Sequence, residues 1–426
     1  MSATDPTATE ILAAMSTPAD ESQAGLTRRR FLKAVGAGVA VSALPAWLGE
    51  EAAAAAPLGP NDGVLVVVLL GGGNDGLSTV VPTEDGAYRS ARRNLAIDPR
   101  TTLPIGRGFG LHPALKEVKR RFDAKQVAVI HGVGDAKPDL SHFTAMARWM
   151  GGDGSSTPTS GWLGRFADGL PGADAFASCT IGTSVPLMLV GRQRTGTALP
   201  MDLDAGLSTT HKDDWVRRSA ECVREMGAAP GGLGHWGDAL ARTGRTALDL
   251  NGRVAPVYGT ERSNQKLTAA MEIAARLINA DLGMRVVQVS HGSYDFHSDI
   301  PWQQNQRMEQ LDAALAAFFA TLAPRFQRRT TVLTVSEFGR RVQANQSNGT
   351  DHGTASALFA IGAGVVGGHH GQPPSLSALD RDGNVVPTVD YRAVYSTVLE
   401  TWLRGDPRQV LGGTFENLRF LRAPAA

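Results

Sequence analysis

The chain has 426 residues, with 42 lysines and arginines against 41 aspartates and glutamates, for a net charge of +1. This balance gives no electrostatic reason to expect nucleic acid or an anionic membrane as a partner. There are only two cysteines, Cys179 and Cys222, which excludes a disulfide scaffold and leaves open whether the two pair.

The first 56 residues have the pattern of a bacterial secretory signal. An n-region of residues 1–27 precedes the twin arginine Arg28-Arg29, an apolar h-region ends near residue 48, and alanines at 52–56 offer a cleavage site. An internal basic helix or a membrane anchor is the alternative, but the apolar stretch is shorter than the roughly 20 residues that span a bilayer. We expect export by the Tat translocase to the periplasm or the medium, with no stable membrane span after cleavage.

Residues 57–426 are expected to form one α/β domain, because apolar runs typical of buried strands alternate with helical patterns. The sequence predicts strands at 63–70, 126–132, 285–290, 331–336 and 357–362. It predicts helices at 111–122, 142–149, 213–226, 264–281, 302–326 and 391–403. This alternation favours a mainly parallel central sheet covered by helices on both faces, with a helical cap or insertion at about 199–260.

Acidic and histidine side chains follow the ends of several predicted strands, where α/β sheets bind ligands. They occur in the motifs DFH (Asp295, His297), SEFGR (Glu337, Arg340) and TDHG (Asp351, His352). Carboxylates and imidazoles that meet at such an edge can hold a divalent cation. Each motif also has an alternative interpretation. The first could be a solvated loop, Glu337 could form an ion pair with Arg340 or Arg341, and Asp351 could cap a helix. His291 and Asp299 are substitute candidates for metal ligands.

Asp75 follows the first strand in the run GGGNDG and is a further candidate metal ligand, although Asn-Asp-Gly is also common in turns. Ser141 begins a predicted helix, where free N–H groups favour a phosphate-like anion, so it is a candidate nucleophile as well as a candidate N-cap. His142 beside it is a second catalytic candidate, and Arg148 is a candidate substrate-binding group together with Arg340. Other nucleophile candidates are Thr144 and Ser78, and other supporting or anion-binding candidates are His131 and Arg165.

Seven motifs occur in order along the chain, namely LGGGNDGLSTVVP, LHPAL, SHFTAMARWMGG, GWLGR, DFHSD, SEFGRRV and GTDHGTA. This set of motifs resembles the DUF1501 family of exported bacterial proteins, a distant relative of the alkaline phosphatase/sulfatase superfamily. The resemblance implies an alkaline-phosphatase-like fold in which Asp75, Asp295, His297, Glu337 and the Asp351-His352 motif surround one or two metal ions.

Three features depart from the superfamily pattern. Phe338 follows Glu337 where a histidine is usual, the Asp295-to-His297 spacing is tight, and no sulfatase Cys-x-Pro-x-Arg element is present.

The resulting expectation is a metal-dependent hydrolase of phosphate or sulfate esters with zinc or manganese, or else magnesium or calcium, as its cofactor. The alternative is a non-catalytic envelope protein for binding or assembly that keeps the fold, with or without a structural metal. The substrate is not specified by the sequence.

Overall fold

The computed structural model describes residues 57–172, 176–201, 214–232, 234–258 and 263–424. The predicted signal, residues 1–56, lies outside the described residues. In the part of the chain that is described, no helix combines the length and the apolar composition needed to cross a membrane. Cys179 and Cys222 are both free thiols.

Fourteen strands are found among the described residues. They are β1 Val64–Leu70, β2 Val80–Pro82, β3 Leu103–Gly106, β4 Phe109–Leu111, β5 Val127–Gly134, β6 Ser178–Ile181, β7 Thr197–Leu199, β8 Val286–His291, β9 Thr330–Val335, β10 Arg340–Ala344, β11 Thr350–His352, β12 Ser356–Ile361, β13 Gly368–His370 and β14 Val389–Asp390.

The α-helices alternate with these strands. They are α1 Gly76–Thr79, α2 Gly86–Arg92, α3 Lys116–Asp123, α4 His142–Gly151, α5 Trp162–Asp168, α6 Asp214–Ala228, α7 Gly234–Tyr258, α8 Lys266–Asn279, α9 Ile300–Thr321, α10 Pro324–Gln327, α11 Tyr391–Thr397 and α12 Pro407–Leu411, with a π-helical segment Val398–Leu403 after α11.

Nine strands form the central sheet, in the order β13-β5-β12-β9-β1-β8-β6-β7, with β14 also paired to β5. Every pairing in this sheet is parallel except those of β12, which runs antiparallel to β5 and β9. The carboxyl ends of β1, β5, β8 and β9 and the amino end of β12 therefore lie at the same edge.

Both faces of the sheet are covered by helices, as the side chains of β1 show. Val64, Val66, Val68 and Leu70 pack on one face against a core that includes α8 and α9. Leu65, Val67 and Leu69 pack on the other face against residues of α4, α5 and α11. The expected fold class, a mainly parallel sheet between two helical layers, is confirmed.

The five predicted strands are present with shifts of one or two residues at their ends. The helix predicted at 111–122 begins only at Lys116, because Phe109–Leu111 forms β4 in a small antiparallel sheet with β2 and β3. The helix predicted at 302–326 is interrupted before Pro324, whose ring cannot continue a helix from the preceding turn. Two helices, α6 and α7, occupy the segment expected to form a cap.

A buried ion pair connects the end of β1 to α2. Arg92 is fully buried, and its Nη2 lies 2.8 Å from Oδ1 of Asp75, which is 1% exposed. The same guanidinium donates to the carbonyl oxygens of Val342 and Arg341, at 2.8 and 2.9 Å. Burial alone would raise the pKa of Asp75, but the charge and hydrogen bonds of Arg92 lower it below its ordinary value. The pair thus joins β1, α2 and β10 around one carboxylate.

We predict that Arg92→Met lowers the free energy of unfolding by about 3–5 kcal/mol, because it leaves the Asp75 carboxylate buried without its partner. Urea unfolding of the purified mature protein measures the change. Arg89→Met is the matched control, since Arg89 lies in the same helix but is exposed, bonding only the Thr83 carbonyl. Equal stability of the two variants would show that the buried pair has no structural role.

Candidate metal centre

Four side chains from one loop, one helix and one short strand meet at the carboxyl edge of the sheet. Asp295 and His297 follow β8, His142 is the first residue of α4 after β5, and His352 ends β11 just before β12. We call these four residues the His/Asp cluster. They converge because a mainly parallel sheet brings the exits of its strands to one edge.

The distances within the His/Asp cluster are short. Nε2 of His352 lies 3.1 Å from Nε2 of His142, 3.0 Å from Nε2 of His297 and 3.0 Å from Oδ1 of Asp295. The two oxygens of Asp295 lie 3.3 Å from Nε2 of His142 and 2.9 Å from Nε2 of His297. The side chains are between 22% and 47% exposed, so solvent and small molecules can reach the cluster.

The opposite nitrogen of each imidazole faces a hydrogen-bond acceptor. Nδ1 of His142 lies 2.8 Å from Oε1 of Glu337, and that oxygen also accepts the N–H of Gly72. Nδ1 of His352 lies 2.7 Å from the carbonyl oxygen of Leu140. Each of these Nδ1 atoms must therefore carry the proton, which leaves an unshared electron pair on Nε2 of the neutral ring.

For His297, the acceptor that faces Nδ1 is the carboxylate of Asp351. Its Nδ1 lies 3.3 Å from Oδ1 of Asp351, which also accepts from Nδ2 of Asn345 at 3.2 Å. The hydrogen bond from Asn345 is the largest of the interactions that lower the pKa of Asp351, and His297 contributes to the same shift. Asp351 is therefore an acceptor, and the third Nε2 also directs an electron pair into the cluster.

A divalent cation fits this arrangement, because without one the electron pairs of the neutral imidazoles and the negative charge of Asp295 face each other uncompensated. Three electron pairs and a carboxylate face each other at about 3 Å with no proton between the rings. Ligands of a tetrahedral zinc ion with bonds of about 2.0–2.1 Å lie roughly 3.3 Å apart. One ligand atom each from His142, Asp295 and His352 lies within 4.8 Å of the others, which matches a shared divalent cation.

Arg340 lies behind Asp295 and is only 2% exposed. Its Nη2 lies 2.6 Å from Oδ1 of Asp295, and its other nitrogens donate to the carbonyl oxygens of Gly73 and Thr350. Burial would raise the pKa of Asp295, but the hydrogen bond and the positive charge of Arg340 hold it well below its ordinary value. Arg340, which the sequence suggested as a substrate-binding group, is in the structure a group that holds Asp295 ionised.

Phe338 packs against the imidazoles from the side of the sheet. Its ring centroid is 4.8 Å from that of His142 and 4.9 Å from that of His352, and the residue is 2% exposed. The phenylalanine that replaces the expected histidine therefore acts as a packing surface for two of the candidate ligands.

The other predicted site residues have different partners. Asp75 accepts hydrogen bonds from Arg92 and from Oγ of Ser78, the latter at 2.6 Å. We therefore leave Asp75 and Ser78 out of the proposed metal site. Arg148 donates to Oδ2 of Asp135 and to the carbonyl oxygen of Lys137 rather than to the cluster. Three further candidates are bound elsewhere in the core, namely Arg165 by backbone carbonyls, His291 by Tyr294 and Gln310, and His131 by His369.

Ser141 is exposed and lies between two residues that touch the cluster. Leu140 supplies the carbonyl oxygen for His352, and His142 is itself a member. The hydroxyl of Ser141 makes no capping hydrogen bond to α4, although its N–H donates to Oδ1 of Asp139 at 2.8 Å. The N-cap alternative is therefore not realised through the side chain, and Thr144 lies one turn further along the helix.

The sequence predicts three of the four cluster residues, Asp295, His297 and His352, as candidate metal ligands, and the structure places His142 beside them. The sequence predicts His142 instead as a catalytic neighbour of Ser141. The signal was available, because His142 follows the predicted strand 126–132 at the same edge as the other motifs. The sequence also assigned Glu337 and Asp351 to the metal, whereas in the structure their oxygens hold the Nδ1 protons of His142 and His297.

These features define an α/β protein with a histidine and carboxylate centre at the carboxyl edge of its sheet. The chain belongs to the DUF1501 family, described as proteins of unknown function, whose model matches residues 124–410. The matched range contains the whole His/Asp cluster but not Asp75 or Arg92. No curated protein matches the chain.

The chain is similar to several solved structures. Alkaline phosphatase from the Antarctic bacterium TAB5 is 11% identical, with 72% of this chain and 93% of that chain covered at a TM-score of 0.34. PsFucS1 sulfatase from Pseudoalteromonas sp. is 11% identical, with 85% and 74% covered at 0.38. The C-terminal periplasmic domain of EcEptC from Escherichia coli, in complex with Zn, is 9% identical, with 82% and 87% covered at 0.37. Because these TM-scores are below 0.5, the function is inferred from the residues of the site alone.

We predict that Glu337→Gln weakens zinc binding by about 10- to 100-fold without abolishing it, because the amide is a poorer acceptor for the Nδ1 proton of His142. Asp351→Asn should act the same way through His297, and more weakly because its contact is longer. Competition with a chromophoric chelator measures both affinities. Glu400→Gln, which alters an exposed acid bonded to Asn417, is the control. Unchanged zinc affinity in Glu337→Gln would contradict this role.

Proposed function

We propose that this protein is an exported, metal-dependent hydrolase of phosphate or sulfate esters. The observation that carries the proposal is the convergence of Nε2 of His142, His297 and His352 on Asp295, with each Nδ1 proton fixed by an acceptor. Three imidazoles and one carboxylate suit zinc or manganese better than magnesium or calcium, which favour all-oxygen sites. A bound divalent cation would supply Lewis-acid stabilisation of the charge that develops on the transferred group.

The residues around the His/Asp cluster suit the transfer of a phosphoryl or sulfuryl group from an ester to a serine. Ser141 stands at the N-terminus of the ten-residue helix α4, whose first N–H groups can bind an anion. Its hydroxyl is exposed and free of a capping bond, so it can approach a bound ester. In this proposal, the oxygen of Ser141 bonds to the phosphorus or sulfur atom as the bond to the ester oxygen breaks, and the hydroxyl proton of Ser141 ends on the departing alcohol. Water then cleaves the serine ester, which restores the hydroxyl and releases phosphate or sulfate.

A non-catalytic binding or assembly protein of the cell envelope is the second candidate. The observation in its favour is that Arg148 and Arg340, the two arginines expected to bind the substrate anion, are engaged by Asp135 and Asp295. Under this alternative the same centre binds metal without turnover.

Export is part of the same proposal. We propose that residues 1–56 are a Tat signal cleaved near 52–56, that residues 57–426 act as one domain, and that α6 and α7 form a cap over it. Replacement of Arg28 and Arg29 by lysines should retain the uncleaved chain in the cytoplasm, which cell fractionation and mass determination of the product can establish.

We predict that the zinc- or manganese-loaded protein hydrolyses 4-nitrophenyl phosphate or 4-nitrophenyl sulfate, and that Ser141→Ala reduces kcat by about 10³-fold or more. The Ser141→Ala variant should keep its full metal content, because the proposed ligands are the four members of the His/Asp cluster. Release of 4-nitrophenolate reports the rate.

The outcomes distinguish the two candidates. Activity that is lost in His352→Ala but kept in Ser141→Ala would mean that water rather than Ser141 attacks. A metal-loaded wild type that is inactive on a broad set of phosphate and sulfate esters would favour the binding protein.

A further inference from the structure

A separate cavity of about 310 Å³ lies next to β5, on the side where the small sheet β2-β4-β3 packs. Its walls include Leu77, Phe109, His131, Ser356, Leu376 and Val385. No member of the His/Asp cluster lines it. The cavity is thus a different place in the molecule from the candidate metal centre.

Of the polar side chains that line this cavity, His131 is the most buried, with only 3% of its surface exposed. Its Nε2 lies 2.8 Å from Nδ1 of His369, and Nε2 of His369 lies 3.0 Å from the carbonyl oxygen of Ile105. A carbonyl can only accept, so Nε2 of His369 carries a proton.

The proton on Nε2 of His369 determines where the other protons of His131 and His369 lie. Burial lowers the pKa of His369, and it lowers the pKa of His131 to about 3, so both rings are neutral. Nδ1 of His369 then has no proton and accepts one from Nε2 of His131. Nδ1 of His131 is left as an acceptor, and it has no hydrogen-bond partner among the described residues.

This acceptor is stronger than that of an isolated imidazole. Two hydrogen bonds in series, from His131 to His369 and from His369 to Ile105, polarise one another in a site with little water. Because His131 lines the cavity, this nitrogen is available to a donor that enters it.

The remaining wall is apolar. The ring of Phe109 lies 4.7 Å from that of His131, centroid to centroid, and Leu77, Leu376 and Val385 complete the surface with Pro373 and Pro374. Three charged side chains also line the cavity: Glu84 and Arg107 are exposed and carry opposite charges, and the half-buried carboxylate of Asp85 accepts backbone N–H groups at the start of α2. The cavity therefore offers mainly apolar contact, together with the imidazole of His131 and the hydroxyl of Ser356.

We propose that this cavity binds a neutral, largely apolar small molecule through a hydroxyl group that donates a hydrogen bond to Nδ1 of His131. A phenol or a short-chain alcohol has this chemistry. The proposal is independent of the metal centre and of the proposed hydrolase activity.

Three ring compounds of similar size test it on the wild-type protein. The probes are 4-methylphenol, 4-methylanisole, which keeps the oxygen but has no O–H, and toluene. Isothermal titration calorimetry should show that 4-methylphenol binds about tenfold tighter than either of the others, the effect of one buried hydrogen bond. Histidine-selective ¹⁵N NMR should show a shift of one unprotonated ring nitrogen on addition of 4-methylphenol alone.

Two variants locate the binding. Leu77→Trp fills the cavity from a partly exposed wall position and should abolish binding, whereas His352→Ala alters only the metal centre and should bind 4-methylphenol as the wild type does. His131→Phe keeps a ring at the site and should make the three probes bind equally. Equal affinity of the wild type for 4-methylphenol and 4-methylanisole, no binding of 4-methylphenol, or unchanged binding in Leu77→Trp would each overturn the proposal.

Discussion

The positions of three protons, one on Nδ1 of each histidine of the His/Asp cluster, determine which atoms at the edge of the sheet can bind a cation. Glu337, Leu140 and Asp351 each present an acceptor to an Nδ1 atom, so each histidine must present the unprotonated Nε2 to its neighbours. Each ring also depends on a different part of the fold, namely the exit of β9, the loop before α4 and the β10-β11 hairpin. The electron pairs meet at one point only because these three elements are fixed relative to one another.

Close backbone contacts hold those elements in register. Gly72 adopts φ +107°, and a Cβ atom there would lie 2.7 Å from the backbone nitrogen of Tyr294. Gly73 adopts φ +72°, and its Cβ would overlap the ring of Phe338 at 2.4 Å. The loop after β1 can therefore approach both the segment that carries Asp295 and the ring that supports His142, and the N–H of Gly72 reaches Glu337. Side chains at these two positions would force the candidate ligands apart.

Sequence patterns predicted the fold class because continuous apolar runs such as 63–70 are typical of strands buried on both faces. Motif order likewise placed Asp295, His297 and His352 together, since they adjoin strands that share an edge. What the sequence could not distinguish was a direct ligand from the group behind it. A carboxylate at a strand end looks the same whether it binds a cation, as Asp295 is placed to do, holds a histidine, as Glu337 does, or pairs with a distant arginine. The partner of Asp75 illustrates this, because Arg92 lies 17 residues away on an unremarkable short helix.

The most direct test is the zinc content of the purified mature protein after reloading, compared between wild type, His352→Ala and His370→Ala. His352 is the residue whose Nε2 contacts all the other members of the cluster, whereas His370 is a half-buried histidine bonded to the Val366 carbonyl, elsewhere in the sheet. The proposed metal centre predicts close to stoichiometric zinc in the wild type and His370→Ala, and its loss in His352→Ala. Wild-type protein that takes up no zinc or manganese, or a His352→Ala variant that keeps the wild-type amount, would contradict it.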